Sequence, residues 1–304
     1  MNAELDKNPA QPAEQRNVTG SVERATNRRD VVRLGSPRVL MYHFFGDPPA
    51  TGDPEKLFIR QADFAAQLAQ LRRDGWHALD LDGYLAALDG APTPRRSYLL
   101  TIDDGHDSAF KIAAPMLAEA GIPSVLFICP GRLGGRAEWS DYYPNEPLAT
   151  AEELLPLPGL GMEFGVHGMD HTATIGMDDA ALHTHIVQSR AELEQLFRRP
   201  LRSFAFPFGK HDAAARGAIA AAGYDVAFAI AREEGRFAAD RVFVRRGDPL
   251  VLFRFKLTNT YRFISRLAGR MSWLRRRVRA VVHLVSRRRS TVRPTAADRG
   301  APDE

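Results

Sequence analysis

The chain has 304 residues, a formal net charge of +4 and a hydrophobic content of 44%. This length and apolar content suit one large domain with tails and support a sizeable core. The single cysteine, Cys129, excludes an internal disulfide framework. No apolar run reaches the roughly 18 residues of a membrane-spanning helix, so such a helix is not expected.

The N-terminal segment, residues 1–36, is rich in Asn, Gln, Glu, Arg and Pro and has few large apolar side chains. Such a composition predicts a disordered segment, because little apolar surface can be buried to offset the lost chain entropy. The segment also lacks the apolar stretch of a secretory signal peptide. We therefore expect the protein to be cytoplasmic.

From Arg38 onward, short apolar runs alternate with segments of helical periodicity. Phe64, Leu68 and Leu71 fall at i, i+4 and i+7 and predict a helix that ends at Gly75. The other predicted helices are residues 109–120, 178–198 and 213–222. The predicted strands are residues 38–42, 76–79, 98–102, 124–129, 163–166, 203–206, 225–230 and 242–245. This β/α alternation predicts a parallel sheet or a barrel.

Two polar motifs each follow a predicted strand. Asp103 and Asp104 come directly after residues 98–102, and His167 and His171 come after residues 163–166. Because polar residues at the carboxyl ends of parallel strands usually line an active site, we expect these side chains to converge. A catalytic zinc site takes three protein ligands and leaves one position for water. Asp104, His167 and His171 are the predicted ligands, and Asp103 is the predicted base.

Each motif taken alone has a simpler interpretation. An isolated Asp-Asp-Gly is commonly a turn, and two histidines four residues apart commonly lie on a helix surface or in a core. His106, which follows Asp-Asp-Gly, is predicted either to border the site or to be exposed. The strands that precede both motifs favour the metal site.

Three ordered segments resemble the motifs of a known family. Residues 101–105 (Thr-Ile-Asp-Asp-Gly), 167–171 (His-Gly-Met-Asp-His) and 203–209 (Ser-Phe-Ala-Phe-Pro-Phe-Gly) resemble the first three motifs of the polysaccharide deacetylases, carbohydrate esterase family 4. The resemblance covers residues 37–246 and implies a distorted (β/α) barrel of about seven strands. It implies metal-dependent hydrolysis of the N-acetyl group of an amino sugar, with the base and ligands named above. It also implies that the backbone N–H of Phe208, next to Pro207, stabilises the oxyanion.

The chain departs from the common family order at the general acid. A Leu-x-His segment usually follows the third motif, and nothing after Gly209 matches it. The apolar run 39–42, which ends at His43, instead resembles the first segment of a circularly permuted subgroup. His43 is therefore the predicted general acid, and the alternative is a histidine satisfied at a strand end.

A second departure concerns the arginine that orients the base. Many family members have that arginine where this chain has Ala205. Arg241, next to the last predicted strand, is the candidate replacement, and Arg245 and Arg246 are its rivals. For each of them the alternative is a solvated surface arginine.

Residues 130–160 form a Gly- and Pro-rich insertion that contains Trp139, Tyr142 and Tyr143. Long loops on a barrel often shape the binding site. We expect these aromatic side chains either to stack on sugar rings or to pack the loop against the barrel.

The C-terminal region, residues 251–304, is predicted to be a basic, amphipathic helical tail after a barrel at residues 37–250. Residues 253–289 contain twelve Lys or Arg and no acidic residue. Within residues 271–289, five apolar residues share one helical face: Leu274, Val278, Val281, Val282 and Val285. We expect residues 250–268 to dock on the barrel and residues 271–289 to bind an anionic membrane surface. A nucleic-acid patch ranks last, because no other segment resembles a nucleic-acid-binding fold.

Together these features predict a hydrolase that deacetylates an N-acetylated glycan or oligosaccharide precursor with a divalent metal, zinc being the expected ion. The basic tail further predicts that the protein lies at the inner face of the membrane. Two alternatives remain open at this point. One is an amidase that acts on a small non-sugar amide, and the other is a catalytically inactive barrel that binds glycan or membrane.

Overall fold

Buried parallel strands form the centre of the protein. The computed structural model describes residues 36–50, 52–143, 145–230 and 235–270. Within these ranges the strands are β1 (Arg38–Tyr42), β2 (Phe44–Phe45), β3 (Phe58–Ile59), β4 (His77–Leu79), β5 (Ser97–Ile102), β6 (Ser124–Ile128), β7 (Met162–Val166), β8 (Ser203–Ala205), β9 (Val226–Ala229), β10 (Ala239–Asp240) and β11 (Val242–Phe243).

Helices connect the successive strands from β3 to β9, as parallel pairing requires. They are α1 (Gln61–Arg73), α2 (Leu81–Leu88), α3 (Ala114–Ala120), α4 (Ala151–Leu154), α5 (Asp179–Leu182), α6 (Ser189–Phe197), α7 (Ala213–Ala221), α8 (Leu250–Lys256) and α9 (Asn259–Arg270). Two π-helical segments, Ala109–Ala113 and His183–Gln188, continue directly into α3 and α6. Asp80, Asp178 and Asp212 cap α2, α5 and α7 with side-chain hydrogen bonds, which satisfy free N–H groups at the helix starts.

Nine strands form one parallel sheet that nearly closes into a barrel. The order is β10-β9-β8-β7-β6-β5-β1-β11, with β4 also paired to β5. The two ends of this order, β10 and β11, are separated by one residue, Arg241. Because β10 pairs with β9 and β11 pairs with β1, the chain passes at Arg241 from one edge of the sheet to the other. The predicted distorted (β/α) barrel is confirmed.

The interior of the barrel is filled by side chains from successive strands and from α2. Leu99 on β5, Phe127 on β6 and Phe228 on β9 belong to one buried cluster, which Tyr84 and Leu85 of α2 complete. A larger apolar layer lies outside the sheet, between the strands and the surrounding helices. Alternate side chains of each strand enter these two layers, because successive residues of a strand point to opposite faces.

The eight predicted strands are all present, with ends that differ by one or two residues. Four features were not predicted: the small parallel pair β2 and β3, the helix α2, the one-turn helix α4 within the insertion, and the short strand β10. The strands β2, β3 and β10 have two residues each, which is too short for a periodic pattern in the sequence. Helix α2 contains Gly83 and only eight residues, so its helical pattern is weak.

The first residues after residue 250 pack against the barrel and belong to the same folded unit. Phe253 and Leu257 are buried and join the main core, so the apolar layer continues past the predicted boundary at residue 250. This is the docking predicted for the first part of residues 250–268. Residues 271–289 and 1–35 lie outside the described residues. Among the helices that the structure describes, none has the length and apolar character needed to cross a bilayer.

We predict that Gly165→Ala destabilises the protein. A Cβ at Gly165 would lie 2.4 Å and 2.5 Å from ring carbons of Phe127 and 2.7 Å from Oγ of Ser203. Since Phe127 is fully buried, it cannot move aside without repacking the barrel interior. The expected loss is about 1–3 kcal/mol of unfolding free energy, measured by urea denaturation.

Gly217→Ala is the matched control. Gly217 lies in the exposed part of α7, and a Cβ there meets nothing within 4 Å. This substitution is expected to stabilise the protein by about 0.5–1 kcal/mol. Equal stabilities for the two variants would contradict the packing described for the barrel interior.

Candidate active site

The candidate catalytic residues come from the carboxyl ends of three strands and from the seam of the barrel. Asp103 and Asp104 follow β5, His43 follows β1, and His167 follows β7. The parallel pairing of β1 with β5, and of β5 with β7 through β6, brings these strand ends to one rim of the barrel. The prediction that the side chains converge is therefore confirmed by the fold.

Asp103 is held by a paired hydrogen bond from Arg241. The two terminal nitrogens of Arg241 donate to Oδ1 and Oδ2 of Asp103 at 2.6 Å and 2.7 Å. Nη1 of Arg241 also lies 3.3 Å from Oγ1 of Thr101, and its guanidinium lies over the ring of Phe127 at 5.7 Å. Asp103 and Arg241 are both buried, and a two-point contact of this kind fixes the carboxylate plane.

The two rival arginines have other partners. Arg246 donates to Oδ2 of Asp53 at 2.5 Å, and Arg245 is exposed with its guanidinium over the ring of Phe243. Of the three candidates, Arg241 is the one that the structure brings to Asp103.

Asp104, His167 and His171 converge as a buried trio. One potential ligand atom from each lies within 4.8 Å of the other two. Oδ1 of Asp104 is 3.4 Å from Nε2 of His167 and 3.2 Å from Nε2 of His171. The backbone of Asp104 and His171 is in the left-handed region, with φ of 77° and 72°. Such a conformation is uncommon outside glycine, and residues that adopt it cluster at active sites and ligand-binding positions.

The trio has the features of a divalent-metal site. Nδ1 of His167 contacts the carbonyl oxygen of Ala205 at 2.7 Å, so Nδ1 carries a proton, and in the neutral ring Nε2 is the nitrogen left with a lone pair on the side of Asp104. Oδ1 of Asp104 is buried and has no hydrogen-bond partner among the described residues. A buried carboxylate oxygen needs a compensating group, and a cation bound between these three side chains would supply one. One carboxylate and two imidazoles suit zinc and neighbouring divalent ions.

The two adjacent carboxylates are both kept ionised, by different neighbours. Burial raises the pKa of Asp103, but Arg241, with His167 and His43, outweighs burial and holds the pKa below its ordinary value. Burial also raises the pKa of Asp104, and the two histidines outweigh it, so that this pKa lies well below its ordinary value. Burial lowers the pKa of His171 despite the nearby Asp104, whereas at His167 burial is outweighed by Asp104 and Asp103, which raise the pKa of that ring.

His43 lies beside the base. Its Nε2 is 4.0 Å from Oδ2 of Asp103, and its side chain is 13% exposed. Burial lowers the pKa of His43, although Asp104 and Asp103 act in the opposite direction. A lowered pKa makes the protonated imidazole a stronger acid. The structure thus places the predicted acid at the same rim as the predicted base.

The third motif passes next to the trio. Residues Pro207–Gly209 form a tight turn directly after β8, and Phe208 has a φ of 57°. The ring of Phe208 meets the ring of His171 edge-on, with 4.5 Å between centroids. Three of the five non-glycine residues with positive φ in the described part of the chain, Asp104, His171 and Phe208, therefore lie together at this site.

The insertion packs against both the site and the barrel. Trp139 stacks on His171, Tyr142 is exposed, and Tyr143 is buried with its hydroxyl donating to Asp53 at 2.6 Å. His106 is buried as well, and its Nε2 lies 3.2 Å from Glu146. The packing alternative thus holds for Tyr143, and the exposed alternative for His106 is wrong. The reason is that the insertion covers His106.

Two contributors to the site were not predicted from the sequence. Phe127 supports the guanidinium of Arg241, and Trp139 contacts a candidate metal ligand rather than open solvent. Neither contact leaves a signal in the sequence, because each joins residues more than 30 positions apart on different elements.

We predict that Arg241→Met destabilises the metal-free protein by about 3–5 kcal/mol at neutral pH, because it leaves the buried carboxylate of Asp103 without a compensating charge. The loss should shrink as pH falls from 7 toward the ordinary Asp pKa of about 3.9, because burial without Arg241 raises the pKa of Asp103 in the folded variant, and the proton it then takes up neutralises the buried carboxylate. Urea denaturation between pH 4 and 7 measures both effects.

Arg245→Met is the matched control. Its guanidinium is exposed, so its removal should cost about 1 kcal/mol or less. Similar losses for the two variants, or a loss at Arg241 that does not depend on pH, would contradict the role of Arg241 in compensating Asp103.

Comparisons with known proteins agree with this geometry. Residues 90–227 match the sequence profile described as polysaccharide deacetylase. The chain is 21% identical over 215 residues to the putative polysaccharide deacetylase YxkH of Bacillus subtilis, which covers 69% of this chain and 71% of that protein. It is 22% identical over 160 residues to a poly-beta-1,6-N-acetyl-D-glucosamine N-deacetylase of Staphylococcus aureus, which covers 50% of this chain and 53% of that protein. The chain thus spans about half the length of that relative.

Solved structures show the same fold. The Streptococcus pyogenes deacetylase PplD in complex with acetate superposes with a TM-score of 0.63 at 17% identity, over 73% of this chain and 98% of that one. IcaB from Ammonifex degensii superposes with a TM-score of 0.63 at 20% identity, over 74% of this chain and 98% of that one. Residues 90–227 therefore match the polysaccharide deacetylase family, whose members are hydrolases of carbon–nitrogen bonds other than peptide bonds, and the barrel has the fold of solved deacetylases.

Proposed function

We propose that this protein removes the N-acetyl group from an amino sugar within a glycan or glycan precursor, releasing acetate. A divalent metal, with zinc as the expected ion, is held by Asp104, His167 and His171. The observation that carries the proposal is the buried trio beside Asp103, whose carboxylate is fixed by Arg241. The S. aureus relative is named for poly-β-1,6-N-acetyl-D-glucosamine, which makes an N-acetylglucosamine polymer the first substrate to test.

The residues of the chain divide the reaction between them. A divalent ion in the trio would supply Lewis acidity, which lowers the pKa of water and polarises the acetamide carbonyl. Asp103 takes the proton of the attacking water, and Arg241 holds its carboxylate in place for this transfer. The backbone N–H of Phe208, in the turn that begins at Pro207, donates to the oxygen that gains negative charge. His43 gives a proton to the nitrogen as the carbon–nitrogen bond breaks.

The amine leaving group explains why an acid is needed opposite the base. An amide nitrogen departs poorly as an anion, so it must be protonated as the bond to carbon breaks. His43 and Asp103 lie 4.0 Å apart by their nearest side-chain atoms and occupy the same rim. An acetamide held at this rim can therefore meet both groups.

The residues of this site also bear on the two alternative functions. An amidase that acts on a small non-sugar amide would use the same residues, so substrate profiling must separate it from the proposed function. An inactive binding barrel was suggested by Ala205 and by the missing late Leu-x-His segment. Arg241 reaches Asp103, and His43 lies at the rim, so the side chains that those departures removed have counterparts elsewhere in the chain.

We expect the purified protein to release acetate from N-acetylglucosamine oligomers, to stop when the metal is stripped, and to recover when zinc is restored. Asp103→Asn should lower kcat by about 100- to 10,000-fold, the usual contribution of a general base. This variant should still bind zinc, because Asp103 is outside the trio. If the wild-type protein binds zinc but releases no acetate from any oligomer, this substrate class is ruled out.

A second test isolates the acid. His43→Gln should strongly reduce hydrolysis of the N-acetyl sugar but largely spare an aryl acetate, whose phenolate departs without protonation. Asp103→Asn should reduce hydrolysis of both substrates, because both need an activated water. Equal losses on the amide and the aryl ester in His43→Gln would remove the acid role from His43.

We further propose that the basic segment 271–289 binds an anionic membrane surface, which would bring the site to lipid-linked or membrane-bound glycans. The segment itself lies outside the described residues. In the two helices that precede it, Val251 is 56%, Phe255 39% and Phe263 69% exposed. Exposed apolar side chains next to a basic segment favour a lipid interface.

Sedimentation with vesicles tests this placement. The full chain should sediment with phosphatidylglycerol vesicles, less so at high salt, and poorly with phosphatidylcholine vesicles, because screening weakens attraction between charges. A chain that ends at residue 270 should lose most of the binding. Equal sedimentation of both chains would show that the segment has no such role.

A further inference from the structure

The two candidate histidine ligands are oriented in different ways. Metal-bound histidines usually donate their second ring N–H to a carboxylate or a carbonyl, which fixes the ring. His167 does so through Ala205. Nδ1 of His171 is buried and has no hydrogen-bond partner among the described residues. Another interaction must therefore set the orientation of the His171 ring.

That interaction is provided by two aromatic rings. Trp139 stacks on the imidazole of His171, with 4.3 Å between centroids and 17° between planes. Phe208 meets the same imidazole edge-on at 4.5 Å and 78°. Together they restrict rotation of the ring and exclude water around it, and both geometries are those that aromatic pairs prefer.

The insertion that carries Trp139 is fastened to both metal-binding segments. The N–H of Gly131 donates to the carbonyl of Met169 at 2.9 Å, two residues before His171. The N–H of Ala149 donates to the carbonyl of Gly105 at 2.9 Å, directly after Asp104. These backbone hydrogen bonds hold the insertion, and with it Trp139, at a fixed position relative to the trio. The stacking of Trp139 on His171 is therefore supported by the surrounding backbone.

We propose that Trp139 is a positioning residue for the metal site, and that it acts by holding His171 in the orientation that binds the metal. This inference rests on the proposed metal site. It extends that site from the barrel rim into the insertion. By linkage, metal binding should in turn hold Trp139 against His171, because a favourable coupling between two events acts in both directions.

The test compares two aromatic residues of the same insertion. Trp139→Leu removes the stacking ring, whereas Tyr142→Leu removes an exposed ring for which the structure shows no contact with His171. Zinc affinity is measured by competition with a chelator, on full-length, metal-stripped protein. Trp139→Leu should bind zinc about 10- to 100-fold more weakly, the range for loss of an orienting partner, and Trp139→Phe should restore much of the affinity. Tyr142→Leu should bind zinc like the wild type.

If Trp139→Leu folds poorly, a spectroscopic measurement replaces the comparison of zinc affinities. Cobalt bound at the trio should quench the emission of Trp139, one of three tryptophans in the chain. The quenching should be largely lost in Trp139→Phe, whereas Tyr142→Leu should keep it. Full quenching in Trp139→Phe would overturn the proposal.

A pair of glycine variants tests the fastening of the insertion. A Cβ at Gly131 would lie 2.9 Å from the carbonyl oxygen of Met169, so Gly131→Ala must shift the two segments apart and should weaken zinc binding. Gly159→Ala is the control, because a Cβ there meets nothing within 4 Å.

The outcomes separate this inference from the proposed function. If the wild type binds neither zinc nor cobalt, the metal site itself is wrong. If the wild type binds zinc and Trp139→Leu binds it within twofold as tightly, the metal site stands and the positioning role of Trp139 is wrong.

Discussion

The ion pair between Arg241 and Asp103 is the contact on which the rest of the site depends. Arg241 lies where the chain passes from one edge of the sheet to the other, so the seam of the barrel and the orientation of the base share one residue. A buried guanidinium needs a partner and a support. Asp103 is the partner, and Phe127 is the support beneath the guanidinium. The ring of Phe127 has room because residue 165 is a glycine, which connects packing inside the barrel to the chemistry at its rim.

Two neighbouring carboxylates differ in their surroundings and therefore in what they can do. Asp103 continues the direction of β5 and meets a fixed positive charge, which keeps it ionised and still. Asp104 is turned by its left-handed backbone toward two imidazoles and keeps a buried oxygen without a donor. Paired carboxylates whose environments differ in this way commonly take different roles in one reaction. Here the first suits proton transfer and the second suits a cation.

The insertion is part of the candidate active site and packs directly against it. Its backbone joins the segments after β5 and β7, its Tyr143 is buried in a small aromatic cluster, and its Trp139 covers one face of His171. Loops usually carry specificity while a rigid scaffold carries the reacting groups. In this protein the loop also shapes the site in which we propose that a metal binds.

The sequence alone determined the alternation of strands and helices and the motifs at the strand ends, and the resemblance of those motifs to a family implied the barrel. The alternation depends on neighbours in the chain, and local periodicity records it. The identity of the arginine beside Asp103 was left among three candidates, and the positions of His106 and Trp139 were left open. Only the tertiary structure decided these points, because each depends on elements far apart in sequence. Arg241 meets Asp103 across the seam, Glu146 covers His106, and Trp139 reaches His171 from a loop. Contacts of this kind arise from the closure of the barrel, which no local pattern encodes.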